Sequence, residues 1–128
     1  MYDQTAMSAL TTFDRRLRKE LEELTGSMCK ALNDPKRLTI LYALRDGAHT
    51  VGELCEILEA PQSNASQHLA VLRNGGLVDA TRTGNTVRYS LRHPKILEAI
   101  DLLRAVMSAE VARQHALRSP PRRGQEHD

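Results

Sequence analysis

The feature that most constrains this chain is a change of hydrophobic period across residues 61–91. Through "PQSNASQHLAVLRN" the apolar residues Ala65, Leu69 and Leu72 recur at spacings of four and three, which is one face of an α-helix. After Gly75 and Gly76, residues that tolerate a left-handed exit from a helix, the pattern becomes alternating. "LVDATR" places Val78 and Ala80 on one face, and "TVRYSL" does the same with Val87, Tyr89 and Leu91. "TGN" between them has turn chemistry, so a helix followed by a β-hairpin with an exposed tip is expected. The other face of that helix carries Ser63, Asn64, Ser66 and Gln67, not the Lys and Glu of an ordinary solvated helix. Short hydrogen-bonding side chains let a helix come close to whatever it touches.

The remaining segments are helical. Leu10, Phe13, Leu17, Leu21, Leu24 and Met28 predict one long amphipathic helix whose outer side, "DRRLRKELEE", mixes both charges. In "NDPKRLTILYALRDG", Asn33 or Asp34 can cap, Pro35 suits a first turn, Leu38, Leu41 and Leu44 form a stripe, and Gly47 ends the helix. Thr50 can cap a short helix to about Leu58, with Val51, Leu54 and Leu58 on one side, and Ala60–Pro61 breaks it. A final helix opens at Pro94 and carries Ile96, Ile100, Leu103 and Met107. "RSPPRRGQEHD" has no apolar face to bury, so residues 118–128 are expected to form a disordered basic tail to a single domain over 1–117.

Composition narrows the function classes. No apolar run approaches the roughly 20 residues of a membrane span, and the N-terminal segment lacks the pattern of a signal peptide, so a cytoplasmic protein with no membrane partner is expected. Cys29 and Cys55, 26 positions apart, form neither a CxxC motif nor a zinc-ligand pair. Net charge is only +2, but residues 62–92 hold Arg73, Arg82, Arg88 and Arg92 against the single acid Asp79. That segment is locally basic. Aromatic residues make up 3%, too few for the stacking platforms of single-strand readers. Ser66 and His68 are two apart on one helix and point in different directions, so no nucleophile–base pair forms there. No phosphate-binding Gly loop is present either, and no enzyme is expected.

The expected order is helix, helix, short helix, turn, helix, hairpin, helix, a mainly α fold with a two-stranded β-hairpin. Its centre is a helix-turn-helix followed by a wing (α-α-α-α-β-β-α). In such a motif the second helix enters the DNA major groove, where Gln and Asn pair with adenine and Ser donates or accepts. A merely solvated helix is the plainer alternative. The Gly exit, the hairpin and the local basic charge all point instead to double-stranded DNA.

"LNDPKRLTILYAL", "SNASQHLAVLRNGGLV" and "TGNTVRYSL" together resemble the ArsR/SmtB family of winged-helix bacterial repressors, over about Leu32 to Leu91. The resemblance implies a homodimer joined through the first and last helices and bound to an inverted-repeat operator. It implies a repressor released by a small effector or by thiol modification; a winged-helix dimer acting only as a protein-interaction module is the alternative. By position, the DNA-reading candidates are Gln62, Ser63, Asn64, Ser66, Gln67 and His68, with Arg73 a backbone contact and Arg82, Asn85, Thr86 and Arg88 acting in the wing. His68 lies close to the inward side of Ala65 and Leu72, so a structural hydrogen bond competes with a DNA contact. Tyr89 and Leu91 are expected in the wing core. Where the family has Gly ending the first helix of the motif and Ser or Thr capping the second, this chain has Glu59 and Pro61, a missing cap that costs about 1 kcal/mol.

The family's metal sites do not carry over. Where thiophilic-metal members have ELCVCDL, this chain reads "AHTVGEL", with Thr50 and Gly52 at the thiolate positions. The zinc positions of the last helix correspond to about His93, Lys95, Val106 and Ala109, which offer no ligand set, so no metal and no cofactor are expected. Cys29 and Cys55 remain, either as small buried packing residues or as a thiol switch acting by oxidation or persulfidation.

Overall fold

The computed structural model describes the backbone of residues 4–118, and side chains from Asp14 onward. The side chains of Leu10 and Phe13, and residues 119–128 of the expected tail, lie outside the described residues. The elements are α1 (Gln4–Glu23), a π-helical turn (Leu24–Met28), α2 (Cys29–Leu32), α3 (Pro35–Ala43), β1 (His49–Thr50), α4 (Val51–Leu58), α5 (Gln62–Asn74), β2 (Val78–Thr83), β3 (Thr86–Leu91) and α6 (Lys95–Arg118). Two compact units divide after Pro94.

The long first helix predicted from leucine spacing is interrupted by the π-helical turn. Its sequence, "LTGSM", explains the break. Gly26 is a poor helix former, and the flanking hydroxyls turn back onto the helix: Thr25 Oγ1 donates to the Leu21 carbonyl at 2.9 Å and Ser27 Oγ to that of Glu23 at 3.3 Å. The chain then turns at Asn33 into α3. Asp34 is the N-cap, accepting from the backbone N–H of Lys36 at 2.8 Å and of Arg37 at 3.3 Å, with Pro35 in the first turn. α3 ends at Ala43, short of the expected stop at Gly47.

Thr50 caps α4 as expected, in a reciprocal capping box. The Glu53 N–H donates to Thr50 Oγ1 at 3.2 Å, and the Thr50 N–H donates to Glu53 Oε1 at 2.9 Å. α5 starts after Pro61 without a side-chain cap. Its apolar stripe sinks into the core: Ala65, Leu69 and Leu72 are fully buried together with Ile40, Leu41, Leu54, Leu77 and Val78. α5 thereby packs against α3, α4 and β2.

The glycine exit is divided between two residues. Gly76, at φ 80°, takes the left-handed conformation. Gly75 stays right-handed and serves close approach, since a Cβ there would lie 2.8 Å from that of Ala31 in α2. β2 and β3 form the wing in the expected phase, with Val78 opposite Leu91, Ala80 opposite Tyr89 and Arg82 opposite Val87. The hairpin is not the whole sheet. β1 adds a third antiparallel strand, pairing His49 with Tyr89 and Thr50 with Arg88, in the order β1-β3-β2. A two-residue strand has no alternation to detect.

In α6, by itself, Ile100 of the expected stripe is buried, whereas Leu103 and Met107 are exposed alongside Leu102, Val106 and Val111. No helix among the described residues is long and apolar enough to cross a membrane.

Glu59, where glycine was expected to be missing, adopts the left-handed conformation at φ 53° and ψ 46°, the only described non-glycine residue with positive φ. A side chain in that region costs roughly 1–2 kcal/mol. Glu59→Gly should therefore raise the unfolding free energy by about 0.5–1 kcal/mol after the entropy of a freer unfolded chain is subtracted. The readout is a higher urea midpoint at unchanged slope.

Candidate nucleic-acid interface

The buried stripe fixes the rotation of α5, and the rotation sorts its polar residues. Gln62, Ser63, Ser66, Gln67 and Arg73 are exposed, with Ala70 and Asn74 among them. Asn64 and His68 are not on that face: both are half-buried. The Asn64 Oδ1 atom is buried without a hydrogen-bond partner. Of the DNA-reading candidates on α5, four therefore share an open surface and two stand to its side.

His68 is held by α3. Arg37 Nη1 lies 3.3 Å from His68 Nδ1, and His68 Nε2 lies 4.0 Å from Asp34 Oδ1. A guanidinium only donates, so a neutral ring accepts at the nitrogen facing Arg37, whereas a protonated ring adds its charge to that of Arg37 beside Asp34. The rest of Arg37 closes the end of α2: Nε donates to the Ala31 carbonyl at 2.6 Å and Nη2 to that of Lys30 at 3.3 Å. One guanidinium thus joins α2, α3 and α5. Burial alone would raise the Asp34 pKa, but the Lys36 and Arg37 backbone N–H groups, with the charges of His68 and Arg37, outweigh it and hold the carboxyl below its usual value.

The wing arginines differ among themselves. Arg92 Nε is 2.7 Å from Asp79 Oδ1, and its Nη2 donates to the Val78 carbonyl at 3.4 Å, so it fastens the base of the hairpin. Arg88 Nη1 lies 3.9 Å from Glu53 Oε1, an exposed pair of small energetic weight. Glu53 is itself held below its ordinary pKa, first by the Thr50 N–H and then by His49 and Arg88. Arg73 and Arg82 have no acidic partner among the described residues. Asn85 sits in the turn at the tip beside Gly84, whose φ is 63°, and Thr86 opens β3; both are exposed. An open polar helix face carrying an unpaired Arg73, beside a strand pair carrying an unpaired Arg82, is the arrangement of a winged helix-turn-helix.

Comparison with known proteins agrees. Residues 34–80 match the model of the bacterial regulatory protein arsR family. The regulator CmtR of Mycobacterium tuberculosis is 39% identical over 90 residues, covering 70% of this chain and 76% of CmtR. The chain belongs to the ArsR family of bacterial regulatory proteins. It is a DNA-binding transcriptional regulator, as other ArsR-family proteins are. The transcriptional activator HlyU of Vibrio cholerae is 43% identical over 76 residues, covering 59% of this chain and 70% of HlyU. The structure of reduced HlyU superposes with a TM-score of 0.63 at 37% identity, over 72% of this chain and 96% of that one. A homodimeric winged helix-turn-helix DNA-binding domain from Mycobacterium bovis, a possible ArsR-family regulator, gives 0.61 at 25% identity, over 78% of this chain and 89% of that one.

No group of three or more His, Cys, Asp or Glu that could hold a metal exists among the described residues. Cys29 and Cys55 are free, half-buried and on different helices. The Cys55 carbonyl accepts the Ala60 N–H at 3.1 Å, so this residue braces the turn between α4 and α5. Sequence reasoning missed the role of Arg37, although "DPKR" places a basic side chain three residues after the capping Asp34, one helical turn along.

Asp34 supports a pH prediction. Its folded pKa is depressed, so its contribution is fully present above the unfolded value of about 3.9 and is lost as pH falls through the folded value. Asp34→Asn keeps a capping oxygen but does not titrate. The melting temperature of the native protein minus that of Asp34→Asn should be constant above about pH 5 and fall on acidification below about pH 4. Asp34→Ala should cost about 1 kcal/mol at neutral pH.

Proposed function

We propose that the protein is a cytoplasmic, dimeric repressor that reads an inverted-repeat operator with α5. The observation that carries this reading is the open polar face of α5, with Ser63 and Gln67 exposed over the buried Ala65, Leu69 and Leu72. Gln67 suits bidentate pairing with adenine, and Ser63 with Gln62 can donate or accept at neighbouring base edges. Arg73 serves the backbone beside the groove, and Arg82, Asn85, Thr86 and Arg88 serve phosphates or the minor groove from the wing. Asn64 and His68 act from the side, His68 through its contacts to Arg37 and Asp34. The domain comprises residues 1–117.

The dimer is supported by apolar side chains left exposed on two helices. α1 and the turn after it expose Leu17, Leu21 and Leu24, and α6 exposes Leu102, Leu103, Val106, Met107 and Val111. Joining these faces between copies is the natural way to bury them. A dimer covering a promoter represses by occupancy alone. Release follows from a small effector or from modification of Cys29 or Cys55; the backbone bond from Ala60 to Cys55 gives the latter a direct route to the start of α5.

The test uses a duplex selected by the protein from a random-sequence library, and a scrambled duplex of equal length. Ser63→Ala with Gln67→Ala should lower affinity for the selected duplex by roughly 10- to 100-fold and leave the scrambled duplex nearly unaffected. Equal losses on both would show that these residues do not read sequence. Protection of two half-sites about 34–36 Å apart is expected of the dimer.

A further inference from the structure

A cleft of about 230 Å3 lies between α5 and β3, lined by Ser66, Leu69, Ala70, Arg73, Asn74 and Tyr89. Four of these six carry hydrogen-bond donors: the Ser66 hydroxyl, the Arg73 guanidinium, the Asn74 amide and the Tyr89 phenol. No acid lines the cleft. None of the four side chains has a hydrogen-bond or ion-pair partner among the described residues, although nearby Arg88 and Arg92 both lie close to carboxylates. A lone arginine among neutral donors, with no carboxylate to neutralise it, is a site for an anion. At about 230 Å3 it lies below the roughly 300 Å3 at which pockets for drug-sized ligands begin, and it has room for a single phosphate group.

We infer that this cleft clamps one phosphodiester of the operator backbone where the recognition helix meets the wing. Arg73 supplies the charge, in the planar geometry that matches two phosphate oxygens, and Ser66, Asn74 and Tyr89 supply neutral donors around it. Tyr89, expected from its alternation to be wing core, thereby becomes a contact residue. Its partner across the sheet in β1 is His49, and in β2 Ala80, so both neighbouring strands fix where the ring stands. The clamp rests on the DNA-binding reading and deepens it: it sets how far α5 and the wing can move relative to each other once the duplex is bound, and it carries no sequence information of its own.

The experiment compares the wild-type protein with Arg73→Gln and Tyr89→Phe, checked by circular dichroism for unchanged melting, on the selected and scrambled duplexes across a salt series. Arg73→Gln should weaken both duplexes alike and reduce the salt slope by about 0.9 per protomer, as expected when one phosphate contact is lost. Tyr89→Phe should weaken both several-fold with the slope unchanged, because the lost donor is neutral. A scan of single methylphosphonates should find one position per half-site whose neutralisation weakens the wild type but not Arg73→Gln. The inference is overturned if both variants bind like the wild type, if the losses fall on the selected duplex alone, or if no such position exists. It is also overturned if inorganic phosphate alone saturates the free protein through Arg73 while DNA binding ignores the substitution. Failure of the DNA-binding reading itself would be visible earlier, as wild-type protein with no salt-dependent affinity for any duplex.

Discussion

The outward polar face of α5, which we propose meets DNA, depends on the burial of three side chains. Ala65, Leu69 and Leu72 are at most 1% exposed, and they lock α5 in rotation against the core. With one face fixed, the remaining positions have no freedom: Ser63, Ser66, Gln67 and Ala70 must face outward, Asn64 and His68 must turn partly inward, and His68 meets Arg37 of α3. A helix turns about 100° per residue, so a loss of this anchoring would spoil the polar face without altering any residue on it.

Two polar devices flank α5. At one side Arg37 bridges the α2 carbonyls and the His68 ring, so the first part of the chain is tied to the middle of the reading helix. At the other, Arg92 closes the base of the wing, joining Asp79 and the Val78 carbonyl of β2 just after the Gly76 turn that leaves α5. Between them the α4–α5 turn is the weak point. It carries a left-handed glutamate, no side-chain cap on α5, and a carbonyl from Cys55 as one of its few braces. Strained backbone of this kind gathers at ligand clamps and switch regions.

Much of this was legible in the sequence because it is periodic or obeys local rules. The α5 stripe, the Thr50 and Asp34 caps, the glycine exit and the phase of the β2–β3 hairpin all follow from spacing and turn chemistry. The elements that escaped do so for physical reasons. β1 is two residues long and exists only through its pairing with β3. The π-helical turn depends on hydroxyls turning back onto the helix, where leucine spacing alone reads straight through. Among site residues, alternation assigned Tyr89 to the wing core and could not see the cleft it shares with Ser66 and Arg73, because that neighbour comes from α5. Polarity placed Asn64 and His68 with the reading residues. Rotation about the helix axis, which polarity does not encode, sets them apart.

Adjacent positions on α5 test that rotation most directly. Ala70 lies on the exposed face between Gln67 and Arg73 and lines the α5–β3 cleft, whereas Val71, also exposed, lines a separate hollow with Ser27 and Lys30. A photoreactive phenylalanine analogue introduced at each position in turn, with the protein bound to its selected duplex, should cross-link to DNA from position 70 and not from position 71. Equal cross-linking, or cross-linking from position 71 alone, would mean that α5 meets DNA with a different face and would contradict the account.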